Sequence, residues 1–193
     1  MKLIIQANGV LEKLQSRPSF LMVGTIEPRK GYEQVLGGFE ALWDEGIDVN
    51  LVIVGKEGWM VDGLVKKIRL HSEYNRRLHW LEGISDEYLE RIYSICACLI
   101  SASEDEGFGL PLIEAAQHQI PIIARDIPVF VEVVGEHAYY FSGTEAGALS
   151  ERIRDWIFLY NKNQHPKSNE IPWLTWNTSA KDLTDGIIKM HGM

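Results

Sequence analysis

Short apolar segments alternate with longer segments of mixed polarity along most of this chain. Six of the apolar segments have the length of β-strands, and they cover residues 20–23, 49–54, 78–81, 98–100, 120–123 and 138–141. Between them, apolar residues recur at helical spacing, as at Val35 and Phe39 in one segment and at Leu149 and Ile153 in another. The alternation predicts an α/β fold, a doubly wound parallel sheet of the Rossmann-like type, with its ligand crevice at the carboxyl ends of the strands.

Composition and charge favour a single globular domain and argue against several kinds of partner. The chain has 193 residues, 46% of them hydrophobic, and no shift in composition marks a second domain. Its 19 basic and 27 acidic residues give a net charge of −8, and no basic stripe indicates nucleic acid binding. No apolar stretch approaches the ~20 residues of a membrane span, and the apolar start over residues 1–5 is too short for a signal peptide. We therefore predict a cytoplasmic protein without a transmembrane segment.

The two cysteines, Cys96 and Cys98, lie at the entry to a predicted strand. A zinc site would need further ligands at suitable spacing. We interpret both cysteines as small buried residues rather than as a metal or redox pair. No metal site is predicted.

The nine residues 106–114 carry the strongest functional signal, with the sequence Glu-Gly-Phe-Gly-Leu-Pro-Leu-Ile-Glu. An apolar strand precedes them, and the proline fits the first turn of a helix that begins near Leu110. A helix N-terminus carries unpaired N–H groups and a partial positive charge, and Gly107 and Gly109 remove side chains that would block a phosphate. Glu106 lies beside this predicted phosphate site and Glu114 about one turn into the helix, so both can accept hydrogen bonds from hydroxyl groups. A phosphate next to a polyol predicts a nucleotide sugar as the ligand.

This segment resembles the Glu-x7-Glu signature of retaining glycosyltransferases of family 4, which have the GT-B fold. Four further segments, residues 23–31, 51–59, 81–89 and 120–126, look like successive blocks of that family's donor-binding domain, in the family's order. Together the blocks extend over most of the chain. The resemblance implies that the chain is the C-terminal, donor-binding half of a GT-B enzyme and that transfer retains the sugar's configuration.

The resemblance also assigns roles to individual residues. Glu106 is expected to contact the sugar, while Lys30 and Arg29 are expected to hold the diphosphate in place of a metal, so these three residues are the predicted catalytic set. The other expected donor contacts are Gly24, Thr25, Lys56, Ile84, Leu89, Gly107, Phe108, Gly109, Leu110 and Glu114. No cofactor and no metal are implied. Many members carry an arginine where this chain has Thr25, so either Arg29 does that arginine's work or the diphosphate is held more weakly.

A GT-B enzyme also needs an N-terminal domain that binds the acceptor. Residues 1–18 are too few to supply one and are interpreted as a linker or the remnant of a preceding region, whereas residues 19–193 form the donor-binding domain with a C-terminal helix. The expected partner is therefore an acceptor-binding domain, in the same polypeptide or in another subunit. Without that partner, the chain is expected to transfer little sugar. A peripheral contact of the complete enzyme with the inner face of the membrane is compatible with this arrangement.

The segments 27–31 and 55–59 look most like those of bacterial mannosyltransferases of surface polysaccharide assembly. This similarity favours GDP-mannose as the donor and a glycan or lipid-linked acceptor, with a UDP-sugar as the alternative donor. A non-catalytic nucleotide-sugar-binding module of the same fold is the alternative function. A dehydrogenase is disfavoured because Leu112 stands where Gly-x-Gly-x-x-Gly requires a small residue. A glycoside hydrolase is disfavoured because the carboxylate pair borders a predicted phosphate site.

Several conspicuous polar and aromatic residues are assigned no chemistry. Arg125 and Asp126, after the fifth predicted strand, are interpreted as a solvated turn. His118 is expected at the outer end of the helix that carries Glu114, in a surface or packing role. Trp43 and Trp156 fall on apolar helical stripes and are interpreted as core residues.

Overall fold

Six parallel strands form one sheet in the computed structural model, which describes residues 2–174 and 176–191. The strands are β1 (Ser19–Val23), β2 (Asn50–Val54), β3 (Leu78–Leu81), β4 (Cys98–Ser101), β5 (Ile122–Arg125) and β6 (Tyr139–Phe141). Their order across the sheet is β3-β2-β1-β4-β5-β6, and all neighbouring strands run parallel. The predicted doubly wound parallel sheet is confirmed.

Helices cover both faces of this sheet. In the described part of the chain, the α-helices are α1 (Lys2–Gln15), α2 (Tyr32–Asp44), α3 (Asp62–Arg69), α4 (Asp86–Ile95), α5 (Leu110–Gln117), α6 (Pro128–Val134), α7 (Ala146–Asn161) and α8 (Trp176–His191). Helices α2, α3 and α7 contribute buried residues to the core on one face of the sheet. Helices α1, α4, α5 and α6 contribute to the core on the other face. The two layers of helices are what a doubly wound sheet requires.

The alternation of side chains along each strand supplies both cores. On β1, Phe20 points into one core and Leu21 into the other. The Phe20 ring meets Phe39 of α2 edge to face at 5.5 Å and Trp156 of α7 at 5.3 Å. Trp43 and Trp156 are both buried, which confirms their interpretation as core residues.

The fifth strand begins and ends two residues later than the sequence pattern indicates. Gln119 has a positive φ of 57°, and the Ile120 N–H donates to the Ala115 carbonyl at 3.0 Å, so Ile120 belongs to the turn that ends α5. The apolar run 120–123 cannot reveal this, because a buried turn residue and a buried strand residue look alike in sequence. As a consequence, β5 extends to Arg125, which is a strand residue and not part of a turn.

A helix precedes the first strand of the sheet. Helix α1 occupies Lys2–Gln15, and its Leu14 is fully buried against residues of α4. The Ser19 hydroxyl at the start of β1 donates to the Leu14 carbonyl at 2.7 Å and fixes the end of the helix. Helix α1 therefore packs on the sheet, while the interpretation of residues 1–18 as a linker or the remnant of a preceding region and of residues 19–193 as the donor domain stays a prediction.

Cys96 and Cys98 are buried and form no disulfide, in agreement with the interpretation as small core residues. Burial raises the pKa of the Cys96 thiol to about 12, so the thiol is protonated at neutral pH. Within the described residues, no three His, Cys, Asp or Glu side chains are grouped as the ligands of a metal ion would be. None of the described helices combines the length and the apolar content that a bilayer span requires.

Candidate functional site

The loops that follow β1 and β4 meet at the carboxyl edge of the sheet. From β1 the chain continues to β2 and β3 on one side, whereas β4 and the later strands lie on the other, so this is the topological switch point. The Glu104 N–H donates to the Arg29 carbonyl at 2.8 Å and joins the two loops. Because of this contact, residues that are more than 70 positions apart in sequence share one site.

Glycine is required where the loops touch. Gly31 has a φ of 70°, and a Cβ atom there would lie 2.3 Å from the Ala102 carbonyl oxygen. A side chain at this position would therefore push the loop after β1 away from the loop after β4. Lys30 and Arg29 directly precede Gly31, so the same contact sets the position of both cations.

Gly31→Ala is expected to lower the free energy of unfolding more than Gly46→Ala. Both glycines have positive φ, 70° and 81°, so each alanine brings similar backbone strain, about 1–2 kcal/mol. Only at Gly31 would the new methyl overlap a neighbour, because nothing lies within 4 Å of a Cβ at Gly46. Urea unfolding of both variants measures the difference, which we expect to be about 2 kcal/mol or more. Equal losses would contradict the close packing of the two loops.

Glu106 is the centre of a charged cluster. Its carboxylate accepts hydrogen bonds from Lys30 Nζ, from the Ser103 hydroxyl at 3.0 Å and from Arg29 Nη1 at 3.3 Å. Burial by itself would raise the pKa of Glu106, but the hydrogen bond and charge of Lys30 outweigh it, helped by Ser103 and Arg29, and the pKa is lowered. Glu106 is therefore ionised at neutral pH, and its single negative charge is shared between the two cations beside it.

Arg29 is held by more than this ion pair. Its guanidinium also donates to the Asp105 carbonyl at 2.8 Å and lies 3.2 Å from a carboxylate oxygen of Glu27. The side chain is less buried than Lys30, with 43% against 17% of its surface exposed, so its ion pairs are weaker. Arg29 thus has more partners than Lys30, but each of its ion pairs is more exposed to water.

The glycine-rich turn leads into α5 as the sequence predicts. Gly109 precedes the helix with a φ of 89°, and a Cβ atom there would lie 2.9 Å from the Phe130 ring, so both conformation and space favour glycine. At Gly107, by contrast, no protein atom lies within 4 Å of where a Cβ would be. The neighbouring Phe108 and Leu110 are both about half exposed, at 52% and 48%. The protein's own packing therefore explains Gly109 but does not explain Gly107.

Glu114 lies on α5 and is oriented by a residue that the sequence did not single out. The Tyr93 hydroxyl of α4 donates to Glu114 Oε2 at 2.6 Å. Burial, with the charge of Glu114, raises the pKa of Tyr93, so its hydroxyl stays protonated and keeps donating. His118 stacks on the Tyr93 ring at 5.0 Å, which agrees with its predicted packing role. No local sequence signal pairs Tyr93 with Glu114, because the two lie on different helices.

Backbone contacts join the loops after β1 and β2. The Ile26 N–H of the first loop donates to the Lys56 carbonyl of the second at 2.9 Å. The first loop is also held to α2, because the Tyr32 hydroxyl donates to the Gly24 carbonyl at 2.7 Å. A Cβ at Gly55 would lie 1.9 Å from the Gly24 carbonyl oxygen, so the two backbones are in direct contact. Thr25 and Lys56 are exposed on this joined pair of loops.

Ile84 and Leu89 lie at a distance from the charged cluster. Both are half-buried and pack against the core formed with α4 and α5. They follow β3, which the sheet order separates from β4 by β2 and β1. The predicted donor contacts thus lie along one edge of the sheet, with the charged cluster at its centre and these apolar side chains towards one end.

The interpretation of Arg125 as part of a solvated turn is wrong. Only 5% of its surface is exposed, and its guanidinium donates to the Ala102 carbonyl at 2.9 and 3.0 Å. The physical reason is that β5 extends to Arg125 and the side chain reaches neutral carbonyl and amide oxygens that replace water. Asp126, the next residue, is exposed as predicted.

Comparison with known proteins assigns the family. The family described as glycosyl transferases group 1 matches residues 7–172. The chain belongs to this family. The match includes all the residues of the charged cluster and the whole sheet, so the site lies within the family's own domain.

Individual relatives agree with this assignment. The chain is 53% identical, over 92% of its length, to the serotype-specific mannosyltransferase WbdA of Escherichia coli, of which it spans 22%. Its fold matches the C-terminal domain of a group 1 glycosyltransferase, LpcC of Francisella tularensis, with a TM-score of 0.68 at 17% identity; the match covers 82% of this chain and 87% of that one. HepE of Anabaena, solved with UDP-glucose, matches with a TM-score of 0.67 at 17% identity over 83% of this chain and 45% of that one. The fold is that of the C-terminal domain of GT-B glycosyltransferases.

Proposed function

We propose that this chain is the donor-binding half of a glycosyltransferase that transfers mannose from GDP-mannose, with retention of configuration, to a glycan or lipid-linked acceptor in surface polysaccharide synthesis. The observation that carries the proposal is the cluster in which Lys30 and Arg29 meet Glu106 beside the N-terminus of α5. The two cations and the backbone amides at the start of α5 could bind a diphosphate, and the carboxylate could bind sugar hydroxyls. The identity with WbdA, a mannosyltransferase by name, supports mannose as the sugar.

The donor would lie along the carboxyl edge of the sheet. Its diphosphate would contact Lys30, Arg29 and the amides near Gly107 and Gly109 at the start of α5, where no side chain caps the helix. Glu114, held by Tyr93, would accept hydrogen bonds from the ribose hydroxyls. Glu106 would exchange part of its contact with the cations for contact with the sugar.

The chemistry proposed for this half is electrostatic. When the bond between the anomeric carbon and the diphosphate oxygen breaks, the electron pair stays with the diphosphate, whose negative charge rises. Lys30, Arg29 and the amides at the start of α5 stand where that charge grows and stabilise it without a metal ion. One such cation or N–H group typically lowers the activation free energy by about 3 kcal/mol, which is roughly a hundredfold in rate.

Transfer requires an acceptor as well as a donor. Because the chain spans 22% of WbdA, the proposal assigns acceptor binding to another domain, in the same polypeptide or in a partner subunit. We place this reaction in the cytoplasm, with any contact to the inner face of the membrane made by the complete enzyme. The isolated chain is then expected to bind the donor and to transfer little sugar.

Titration of the chain with GDP-mannose, UDP-glucose, GDP and UDP by isothermal calorimetry tests the proposal. We expect the two guanine nucleotides to bind about tenfold or more tightly than the two uracil nucleotides. A preference for UDP-glucose would overturn the choice of donor and leave the glycosyltransferase in place. Failure of all four to bind would overturn the donor site itself. Donor binding without any transfer, after the acceptor-binding part is supplied, would favour the non-catalytic module.

A further inference from the structure

Arg125 is a buried cation for which the proposed reaction has no use. Its guanidinium donates to Ala102, to Gln34 Oε1 at 2.5 Å and to the Gly143 carbonyl. All of these acceptors are neutral oxygens, and no carboxylate in the described part of the chain forms an ion pair with it. Burial lowers the pKa of Arg125, while the charge of Glu104 acts in the opposite direction. A buried guanidinium without a carboxylate is an expensive arrangement, so its position calls for an explanation.

Arg125 donates to the Ala102 carbonyl, which is where the loops after β1 and β4 touch each other. Two of its N–H groups converge on the Ala102 oxygen, at 3.0 and 2.9 Å. The same oxygen would lie only 2.3 Å from a Cβ atom at Gly31. The Ala102 carbonyl oxygen is therefore in contact both with the loop that carries Lys30 and with the guanidinium of Arg125. Ser103 and Glu106 follow in the same loop, so a shift of Ala102 moves the carboxylate relative to Lys30.

Arg125 is itself fixed by a second polar group. Gln34 of α2 accepts from Arg125 and donates to the carbonyls of Gly143 and Glu145 at 3.2 and 3.1 Å. Arg125 also donates to Gly143, and its guanidinium lies 5.1 Å from the centre of the Phe141 ring. The guanidinium thus joins α2, the end of β6 and the end of β4, with its planar donors in fixed directions.

We propose that Arg125 is a positioning residue of the donor site, which holds the Ala102 carbonyl and thereby sets the spacing between Lys30 and Glu106. This inference rests on the proposed function, because that spacing matters only if the two residues handle a donor. Arg125 does not contact the donor in this proposal. It acts through the loop that carries Ser103 and Glu106. A lysine at position 125 keeps the charge but cannot place two donors on one carbonyl while also reaching Gln34.

A double-mutant cycle on the whole chain tests this role, with GDP as the probe and calorimetry as the measurement. Glu106 competes with a diphosphate for Lys30, so Glu106→Gln should tighten GDP binding by about fivefold when the spacing is intact. In the Arg125→Lys background, the same substitution should change GDP affinity by less than about twofold. A residue that serves only stability would lower the melting temperature but would leave the effect of Glu106→Gln unchanged.

Two further variants keep the test decisive. Arg154→Lys, on the exposed face of α7 where Arg154 pairs with Glu45, should leave the effect of Glu106→Gln at about fivefold. Gln34→Leu removes one of the groups that orient the Arg125 guanidinium on the Ala102 carbonyl, so it should reduce the effect to an intermediate value. This variant decides the question if Arg125→Lys does not fold. An undiminished effect in folded Arg125→Lys or, failing that variant, in Gln34→Leu overturns the positioning role while the proposed function stands. Absence of GDP binding by the unmodified chain overturns both.

Discussion

Lys30→Ala is expected to lower the rate of sugar transfer by about a hundredfold or more, in an enzyme that includes the acceptor-binding part. Lys30 is largely buried, with 17% of its side chain exposed, and it is fixed by Glu106 and by the close contact of Gly31 with Ala102. A cation that is already in place need not reorganise as negative charge develops on the leaving diphosphate. The measurement is the initial rate of transfer at saturating donor, which separates this effect from weaker donor binding.

Lys66→Ala is the matched control for Lys30→Ala. Lys66 is an exposed lysine of α3 and has no part in the charged cluster, so its removal changes the net charge equally. The control is expected to transfer sugar at the rate of the unmodified enzyme. If Lys30→Ala kept its turnover within about threefold of that rate, Lys30 would have no catalytic role of the size that electrostatic stabilisation implies.

Glu106→Gln is expected to have opposite effects on nucleotide binding and on transfer. The Glu106 carboxylate pairs with both Lys30 and Arg29, so a diphosphate must compete with it for these cations. Removing its charge should tighten GDP binding by about fivefold, or ~1 kcal/mol. Transfer should fall by about tenfold or more, because the carboxylate that orients the sugar hydroxyls is lost.

The salt dependence of GDP binding tests whether the effect of Glu106→Gln is electrostatic. The gain in affinity of Glu106→Gln should shrink as ionic strength rises, since part of the interaction is screened. Glu104→Gln is the control, because Glu104 is an exposed carboxylate of the same loop and forms no ion pair with Lys30 or Arg29. Weaker GDP binding by Glu106→Gln at low salt would mean that Glu106 holds the cations in place for the diphosphate instead of competing with it.

The main elements of the fold could be predicted from the sequence because strands and helices leave different periodicities. Apolar runs of strand length predicted the parallel sheet, and the stripe that includes Phe39 predicted α2. The exact start of β5 could not be predicted, because Ile120 is buried in a turn and looks like a strand residue. The helix α1 was missed because a linker was expected from the position of the segment and not from its own apolar pattern.

The meeting of Lys30 with Glu106 could also be anticipated, for a topological reason. Both residues follow strands of one parallel sheet, whose carboxyl ends share an edge, and the family resemblance placed both in donor-binding blocks. The residues that hold these site residues in position could not be anticipated. Arg125 and Gln34 lie 91 positions apart, and Tyr93 and Glu114 lie on different helices, so only tertiary packing brings each pair together. Polar side chains adjacent to a predicted strand end should therefore not be assigned to solvent by default.

The tight packing between the loops after β1 and β2 has a practical consequence for directed evolution of donor choice. A Cβ atom at Gly55 or Gly58 would lie 1.9 or 2.4 Å from a backbone oxygen, so substitution of either glycine should displace one loop from the other and destabilise the fold. Thr25 and Lys56 are exposed on the same pair of loops. Libraries aimed at donor choice should therefore vary these two positions, which belong to the proposed donor site, and keep both glycines fixed.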